Sequence, residues 1–193
     1  MARGLWANRW MRAAAAAVLV AMWPACVMQP DEEPAPAEGT PGVEHANLDF
    51  TLKDMHGEDV NLADFEGRPI LINFWATWCG PCKVEIPALV ELQDKYRDQG
   101  LVVLGISVDD APEDLRPFAE QFKMNYPVLV GLGRDDFMDA YMAGLILPES
   151  WFIRRDGSVQ LKYVGTNTHE WFEQQIQNLL AEPPAADAGD GTR

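Results

Sequence analysis

The sequence predicts an α/β fold in which helices pack against both faces of a mixed central β-sheet. Two near-continuous apolar runs, at residues 70–75 and 101–108, have the pattern of strands that are buried on both faces. Between them a helical pattern extends over residues 81–99 and is followed by Gly100, a residue type that commonly ends a helix. A strand, a helix and a second strand in this order form a right-handed parallel crossover, the unit on which the predicted sheet is built.

Further elements surround this crossover unit. Residues 48–52 and 60–62 flank a turn at Gly57 and predict a small amino-terminal β-hairpin. Residues 151–153 and 159–163 predict a second hairpin across Asp156 and Gly157, whose antiparallel strands make the sheet mixed. The pattern of apolar residues also predicts a helix at 113–122, a strand at 126–130, a short helix at 136–141 and a last helix at 169–180.

Residues 1–25 have the pattern of a signal peptide, since three arginines precede an apolar run at residues 13–23. That run is shorter than the roughly 20 apolar residues of a membrane-spanning helix. Ala25 followed by Cys26 resembles the cleavage and lipidation site of bacterial lipoproteins, although Trp23 replaces the usual Leu. We expect lipidation of Cys26. Ordinary cleavage near Ala25 and an uncleaved anchor are the alternatives.

The two ends of the mature chain are predicted to lie outside the folded domain. Residues 26–43 are rich in proline and acidic residues and predict an extended tether, and residues 182–193 predict a disordered tail. The folded domain is therefore expected at residues 44–181, in a monomer. The formal net charge of −15 disfavours nucleic acid and anionic membrane surfaces as partners, because both would be repelled at long range.

Cys79 and Cys82 are the remaining two cysteines, and they lie only three residues apart. In an exported protein most disulfides join distant segments, whereas a bridge that closes so short a loop adds little stability. A redox-active pair explains this spacing better than a structural disulfide does. We expect no bound cofactor other than this disulfide.

The cysteine pair falls where a buried strand gives way to a helix. Unpaired backbone N–H groups and the helix dipole at this position stabilise a thiolate by about 0.3 to 2 kcal/mol, which lowers a thiol pKa by about one unit. We therefore expect Cys79 to be exposed and partly ionised. Pro81 suits the first helical turn and stiffens the loop, while Gly80 leaves room for the backbone of a partner.

The helix face that carries Cys82 also carries Glu85, Leu89, Leu92 and Tyr96, at spacings of three and four residues. Glu85 should then point inward with a raised pKa, and could shuttle the proton of Cys82. Alternatively, Glu85 reaches solvent or pairs with Lys83 or Arg155. Asn73, the one polar residue in the first apolar run, is interpreted as a buried amide hydrogen-bonded to the backbone.

Residues 74–83 read FWATWCGPCK, with Glu85 and Pro87 following, and this segment resembles thioredoxin-like proteins. The whole arrangement is similar to extracytoplasmic, membrane-tethered reductases of the ResA and TlpA type. The early hairpin, Glu85 and the segment LPESWFI at residues 147–153 match as well, so that the resemblance covers about residues 44–181. Asn73 departs from the buried Asp of cytoplasmic thioredoxins, which leaves Glu85 as the better candidate for proton handling.

The resemblance implies a thioredoxin-like fold and a specific activity. Pro148 would have a cis peptide bond and face the cysteines, Leu147 and Pro148 would hold a partner chain in extended form, and Trp78 would offer it an apolar platform. Trp78 could equally be a packing residue. The implied activity is reduction of disulfides in exported clients, first among them apocytochrome c and then copper-site proteins of a respiratory oxidase, with a membrane electron donor that recharges Cys79 and Cys82.

Two other uses of the cysteines are less consistent with the sequence. A copper or zinc carrier would need more than two thiolates, and His45, His56 and His169 have no ligand spacing to the pair. A peroxidatic enzyme would need Thr three residues before its cysteine, where this chain has Ala76.

Overall fold

The structure is a computed structural model that describes residues 45–181. The predicted signal peptide, Cys26, the tether and the tail lie outside the described residues and stay predictions. Within residues 45–181, no helix is both long enough and apolar enough to cross a lipid bilayer.

The amino-terminal hairpin consists of β1 (Thr51–Lys53) and β2 (Asp59–Asn61), which pair antiparallel around a turn in which Gly57 has a φ of 86°. The predicted hairpin is confirmed, but its first strand begins three residues later than expected. A 3₁₀ turn at Leu62–Phe65 follows, capped by the Asn61 side chain, which accepts the Ala63 N–H at 3.2 Å.

The predicted mixed sheet is confirmed, with five strands in the order β5-β4-β3-β6-β7. The central strand β3 is parallel to β4, and β4 is parallel to the edge strand β5. On the other side, β6 runs antiparallel to both β3 and β7. The strands are β3 (Ile70–Trp75), β4 (Val102–Ser107), β5 (Val128–Val130), β6 (Glu149–Ile153) and β7 (Val159–Val164).

Four α-helices accompany the sheet: α1 (Gly80–Tyr96), α2 (Pro112–Phe122), α3 (Asp135–Tyr141) and α4 (His169–Leu180). The helix predicted over residues 81–99 ends earlier, because the chain tightens into a 3₁₀ turn at Arg97–Gln99. Gly100 then takes a φ of 98° and donates its N–H to the Arg97 carbonyl at 2.9 Å, a left-handed conformation that glycine adopts without strain.

Side chains of β3 alternate between two cores. Ile70, Ile72 and Phe74 pack on the side of the hairpin and α3, whereas Leu71 and Trp75 pack on the side of α1, α2 and α4. All six residues of β3 are buried, as the continuous apolar run predicts.

The amino-terminal hairpin also contacts the edge of the sheet. The Met55 N–H donates to the Val128 carbonyl at 3.0 Å, and Asp54 forms an antiparallel bridge with Leu129. The hairpin therefore covers the outer side of β5.

Strand directions bring the candidate site residues to one end of the sheet. The parallel strands β3 and β4 both end there, followed by Cys79 and by Asp109 respectively. Because β6 is antiparallel to β3, it begins at the same end, directly after Pro148. The opposite end carries Arg68, Gly100 and the turn between β6 and β7.

A substitution at Gly131, directly after β5, tests how closely the chain packs there against the end of β4. A Cβ atom at Gly131 would lie 2.7 Å from the Ser107 carbonyl oxygen, a backbone atom that cannot move aside, whereas one at Gly80 would meet nothing within 4 Å. We expect Gly131→Ala to lower the free energy of unfolding by about 1 to 3 kcal/mol. Gly80→Ala, the control, should be neutral or slightly stabilising. Urea unfolding followed by circular dichroism measures both, and equal midpoints would contradict this account.

Candidate active site

Cys79 and Cys82 form a disulfide at the start of α1, with their Cα atoms 5.3 Å apart. Cys79 is the N-cap residue of the helix, and its Sγ accepts the Cys82 N–H at 3.2 Å. The sulfur thus takes the place of the side-chain oxygen that usually caps a helix. Pro81 lies in the first turn, where its missing N–H leaves no hydrogen bond unmade.

The expectation that Cys79 is exposed is wrong for the oxidised form, because only 3% of Cys79 is accessible and none of Cys82 is. Bonded to Cys82 and turned over the helix end, Cys79 joins an apolar cluster with Trp75, Ala76 and Leu115. Burial of this kind depends on side chains that come from distant parts of the sequence. In the oxidised form a partner can therefore reach only a small part of the disulfide.

Trp78 is 63% exposed, so its interpretation as a packing residue is wrong. Its indole N–H donates to both carboxylate oxygens of Asp109, at 3.0 and 3.1 Å. The side chain is thereby fixed at its polar edge while most of its surface stays open to solvent.

Asp110 fixes the segment that leads into Cys79. This carboxylate is 7% exposed and accepts the Thr77 N–H at 2.8 Å, the Thr77 hydroxyl at 2.5 Å and the Ser107 hydroxyl at 2.6 Å. Sequence reasoning missed Asp109 and Asp110. Their signal was their place directly after a buried parallel strand, since the carboxyl ends of such strands border the crevice where sites form.

Glu85 points inward as predicted, with 1% of the residue exposed, and burial raises its pKa to about 8. The Asn73 amide donates to Glu85 Oε1 at 2.8 Å, which lowers the pKa less than burial raises it. The alternative, in which Glu85 reaches solvent or pairs with Lys83 or Arg155, is wrong.

Asn73 is bonded differently from the prediction. Its amide nitrogen donates to two side chains, Glu85 and the Ser150 hydroxyl at 3.1 Å, and not to the backbone. Ser150 lies beside Asn73 because β6 pairs with β3 in this register. Asn73 therefore links the helix that carries Glu85 to the strand that follows Pro148.

Little else among the described residues would compensate a charge on Glu85. Glu85 Oε2 is buried without a hydrogen-bond partner there, and so is the Tyr126 hydroxyl. Burial and the charge of Glu85 both raise the pKa of Tyr126, with burial the larger cause. These surroundings favour the protonated carboxyl at neutral pH.

The Leu147–Pro148 peptide bond is cis, as the resemblance implies. The Pro148 carbonyl accepts the Gly165 N–H at 2.8 Å, and Leu147 packs against the cluster that contains both cysteines. The segment before β6 is thus brought next to the disulfide, although Leu147 follows Cys82 by 65 positions in the sequence.

A buried ion pair holds both ends of the loop at residues 142–148. Lys162 Nζ lies 2.8 Å from Glu149 Oε1 and 3.5 Å from the Tyr141 carbonyl oxygen, so it joins the end of α3 to the start of β6. Within this loop the side chains of Leu145 and Ile146 are 91% and 64% exposed. The loop therefore presents apolar surface beside the segment that carries Pro148.

The sequence argues against a copper or zinc site at Cys79 and Cys82. Among residues 45–181, no group of three or more His, Cys, Asp or Glu side chains is arranged to hold a metal ion. His45 and His56 are exposed, and His169 begins α4.

Comparison with known proteins assigns the family. Residues 43–162 match the AhpC/TSA family. Thiol-disulfide oxidoreductase ResA of Geobacillus thermodenitrificans is 34% identical over 131 residues, which cover 68% of this chain and 74% of the relative. Thioredoxin-like protein YneN of Bacillus subtilis is 34% identical over 134 residues, which cover 66% of this chain and 75% of the relative.

Solved structures agree with this assignment. A thiol:disulfide interchange protein of the thioredoxin family from Chlorobium tepidum superimposes with a TM-score of 0.63 at 25% identity, covering 76% of this chain and all of that one. A secreted Mycobacterium tuberculosis disulfide oxidoreductase homologous to DsbE of E. coli shares the fold, with a TM-score of 0.63 at 20% identity over 68% of this chain and 97% of that one. With its bridged cysteines at the start of α1, the chain belongs to the AhpC/TSA family and is a thioredoxin-like thiol-disulfide oxidoreductase of the TlpA/ResA type.

Proposed function

We propose that this oxidoreductase reduces disulfides of exported client proteins through Cys79 and Cys82. The observation that carries the proposal is the capping position of Cys79. After reduction, the same Cys82 N–H and the positive end of the α1 dipole would stabilise a thiolate at Cys79. A thiolate at this place is the nucleophile that disulfide exchange requires.

The reaction moves two electrons from the cysteine pair to the client. The Cys79 thiolate attacks one sulfur of the client disulfide, so that the client S–S bond breaks and a mixed disulfide forms while one client thiolate leaves. Cys82 then loses its proton and attacks the Cys79 sulfur. The mixed disulfide breaks, the second client thiolate leaves and takes up a proton, and the Cys79–Cys82 bridge is restored.

Glu85 is the candidate acceptor for the proton of Cys82. It lies one helical turn after Cys82 in α1, on the same buried face. With a pKa near 8, a minor fraction of Glu85 is a carboxylate at neutral pH and would accept the proton, and this fraction grows as the pH rises through 8, where a thiol also begins to ionise. Asn73 would hold Glu85 in place by hydrogen bonding to Oε1.

Client recognition would involve the surface around the disulfide. Trp78 and the segment of Leu147 and Pro148 are the proposed contacts, with Gly80 and Pro81 leaving room for the client backbone. Apolar Leu145 and Ile146 extend this surface, which suits an unfolded client that exposes apolar residues. Apocytochrome c with its haem-site cysteines is the first candidate client, followed by copper-site proteins of a respiratory oxidase.

The proposed site of action is extracytoplasmic. A signal peptide at residues 1–25 and a lipid on Cys26 would tether the domain to the membrane. Because such a compartment is oxidising, the bridged pair must be reduced again after each turnover, and a membrane electron donor would supply the electrons.

The metal-carrier alternative has less support. Two thiolates leave a tetrahedral site incomplete, and the described residues around the pair supply no third ligand of the usual types.

Cysteine variants test the order of attack. We expect Cys79→Ala to abolish reduction of a protein disulfide, because no thiol remains at the capping position. Cys82→Ala should instead accumulate a mixed disulfide, visible as a client adduct on a non-reducing gel, since resolution is blocked. The proposed roles would be contradicted if Cys79→Ala still reduced the protein disulfide, or if Cys79→Ala formed a client adduct through Cys82.

Glu85→Gln tests the proton acceptor. The folded chain keeps the Glu85 proton up to about pH 8, whereas the unfolded chain releases it near pH 4.5. Stability contributed by this proton is complete below pH 4.5 and is lost as the pH rises through 8, at about 1.4 kcal/mol per pH unit between the two values. Urea unfolding across this range should show the loss in the native chain and not in Glu85→Gln.

A kinetic test of Glu85 is the pH dependence of the rate at which Cys82 resolves the mixed disulfide, measured by stopped flow. We expect the native chain to show an inflection near pH 8 that Glu85→Gln lacks. Glu120→Gln, on the exposed side of α2, is the matched control and should keep both the inflection and the stability profile. An inflection that survives in Glu85→Gln would assign the proton to another group.

The reduction potential of the Cys79–Cys82 pair tests the direction of electron flow. A reductase should equilibrate near the value of thioredoxin, about −270 mV, and a disulfide donor near that of DsbA, about −120 mV. We expect the former, measured by equilibration against glutathione or dithiothreitol buffers. A value near −120 mV would reverse the proposed direction.

A further inference from the structure

A cationic pocket lies at the end of the sheet opposite the disulfide. It has a volume of about 360 Å³ and is formed by the residues before β3, the turn between β6 and β7 and the first described residues of the chain. The polar side chains that line it are those of His45, Glu66, Arg68, Arg154, Arg155 and Asp156.

The charge of this pocket contrasts with that of the protein. The chain has 30 acidic and 15 basic residues, yet three arginines and one histidine line this pocket against two acidic residues. One of these acids, Asp156, accepts the Ser158 N–H at 2.9 Å and the Ser158 hydroxyl at 2.6 Å through Oδ1. These hydrogen bonds, and to a smaller extent the charges of His45 and Arg154, lower the pKa of Asp156, so this acid compensates part of the positive charge of the pocket. Glu66, the other, is exposed.

Two of the guanidinium groups are anchored on backbone carbonyls. Arg68 Nε donates to the Gly100 carbonyl at 3.2 Å. Arg155 donates from Nη1 to Gly67 at 3.4 Å and from Nη2 to Gln99 at 3.3 Å. Neither side chain forms an ion pair with a carboxylate of residues 45–181, and a carbonyl fixes a guanidinium without neutralising its charge.

Both guanidinium groups border Gly100. The Arg155 terminal nitrogens lie 3.7 Å from the position that a Cβ atom on Gly100 would occupy, and the Gly100 carbonyl accepts from Arg68. Two like charges are thus held near each other by the backbone. Repulsion between them is relieved by an anion that contacts both.

The Nε–H of Arg155 is a second indication of a missing acceptor. This atom is buried and has no hydrogen-bond partner among the described residues, although buried donors are nearly always paired. An unpaired donor of this kind is costly, because the Nε–H has lost water without gaining an acceptor, although Nη1 and Nη2 of the same guanidinium are bonded.

We propose that this pocket binds the phosphate group of a phosphate ester. A phosphate presents several oxygens and can accept paired hydrogen bonds from more than one guanidinium group. A single carboxylate has only two oxygens and would leave more of the guanidinium N–H groups unpaired. The volume lies in the range of small-molecule pockets, so it holds a phosphate together with a glycerol-sized substituent.

The position of the pocket relates it to the predicted tether. His45 lines the pocket and lies two positions after residue 43, where the predicted tether ends. A chain tethered at this point would bring the pocket within reach of the membrane surface. The phosphate of an anionic phospholipid headgroup has the same chemistry as that of a soluble phosphate ester, so both are candidate ligands. The net negative charge of the domain opposes such contact at long range only, whereas the arginines act at hydrogen-bonding distance.

Titration with glycerol 3-phosphate tests the soluble source. The full chain carrying Cys26→Ser, which prevents lipidation, is followed by the NMR signals of the Gly67, Gly100 and Gly157 amides. We expect saturable shifts that weaken as salt rises. Arg155→Gln and Arg68→Gln should each raise the dissociation constant about ten- to hundredfold, since each removes charge-assisted hydrogen bonds. Arg155→Lys should lose less.

Arg116→Gln is the matched control, because Arg116 is an exposed arginine on α2 that does not line the pocket. It should bind as the native chain does. Every variant should keep its rate of disulfide reduction, since the pocket lies at the far end of the sheet from Cys79, and this rate also confirms correct folding. The test of the pocket is thereby independent of the proposed reductase function.

Vesicle flotation distinguishes the membrane source. The same proteins are mixed with vesicles of phosphatidylcholine alone or of phosphatidylcholine with phosphatidylglycerol. Arginine-dependent binding to the second kind supports a headgroup, and arginine-dependent binding of glycerol 3-phosphate alone supports a soluble ester. The proposal is overturned if neither probe binds saturably, or if Arg116→Gln weakens binding as much as Arg155→Gln does.

Discussion

The capping of α1 by the Cys79 sulfur is the interaction on which the rest of the site depends. It requires β3 to end at a fixed point, which the burial of all six of its residues ensures. It also requires the connecting segment to be rigid, and Asp110 achieves this by accepting three hydrogen bonds from Thr77 and Ser107. With those constraints met, the sulfur accepts one of the orphan N–H groups of the helix, that of Cys82.

Two buried carboxylates lie near the disulfide and are suited to different tasks. Asp110 is surrounded by hydroxyl and N–H donors, so its charge is compensated and it can serve as a fixed anchor. Glu85 receives one amide hydrogen bond on Oε1 and none on Oε2. Because a charge on Glu85 is so poorly compensated, burial raises its pKa to about 8, the range in which the proposed proton exchange with Cys82 would take place.

Local sequence patterns predicted the elements well and the contacts between them poorly. The bounds of β3 and α4 agree with the apolar patterns, because strand burial and helix periodicity are recorded in neighbouring residues. The partners of Asn73 were missed since Ser150 lies 77 residues away, and the burial of Cys79 was missed because Leu115 and Leu147 come from other elements. Glu85 was placed correctly, as its inward direction follows from spacing within one helix.

The amino-terminal hairpin has a consequence for solubility. An uncovered edge strand offers a row of free N–H and carbonyl groups to any other extended chain, and a reductase of unfolded clients would meet such chains constantly. Here the bond from Met55 to Val128 and the bridge from Asp54 to Leu129 occupy the outer side of β5. The hairpin thus blocks intermolecular strand pairing at this edge of the sheet.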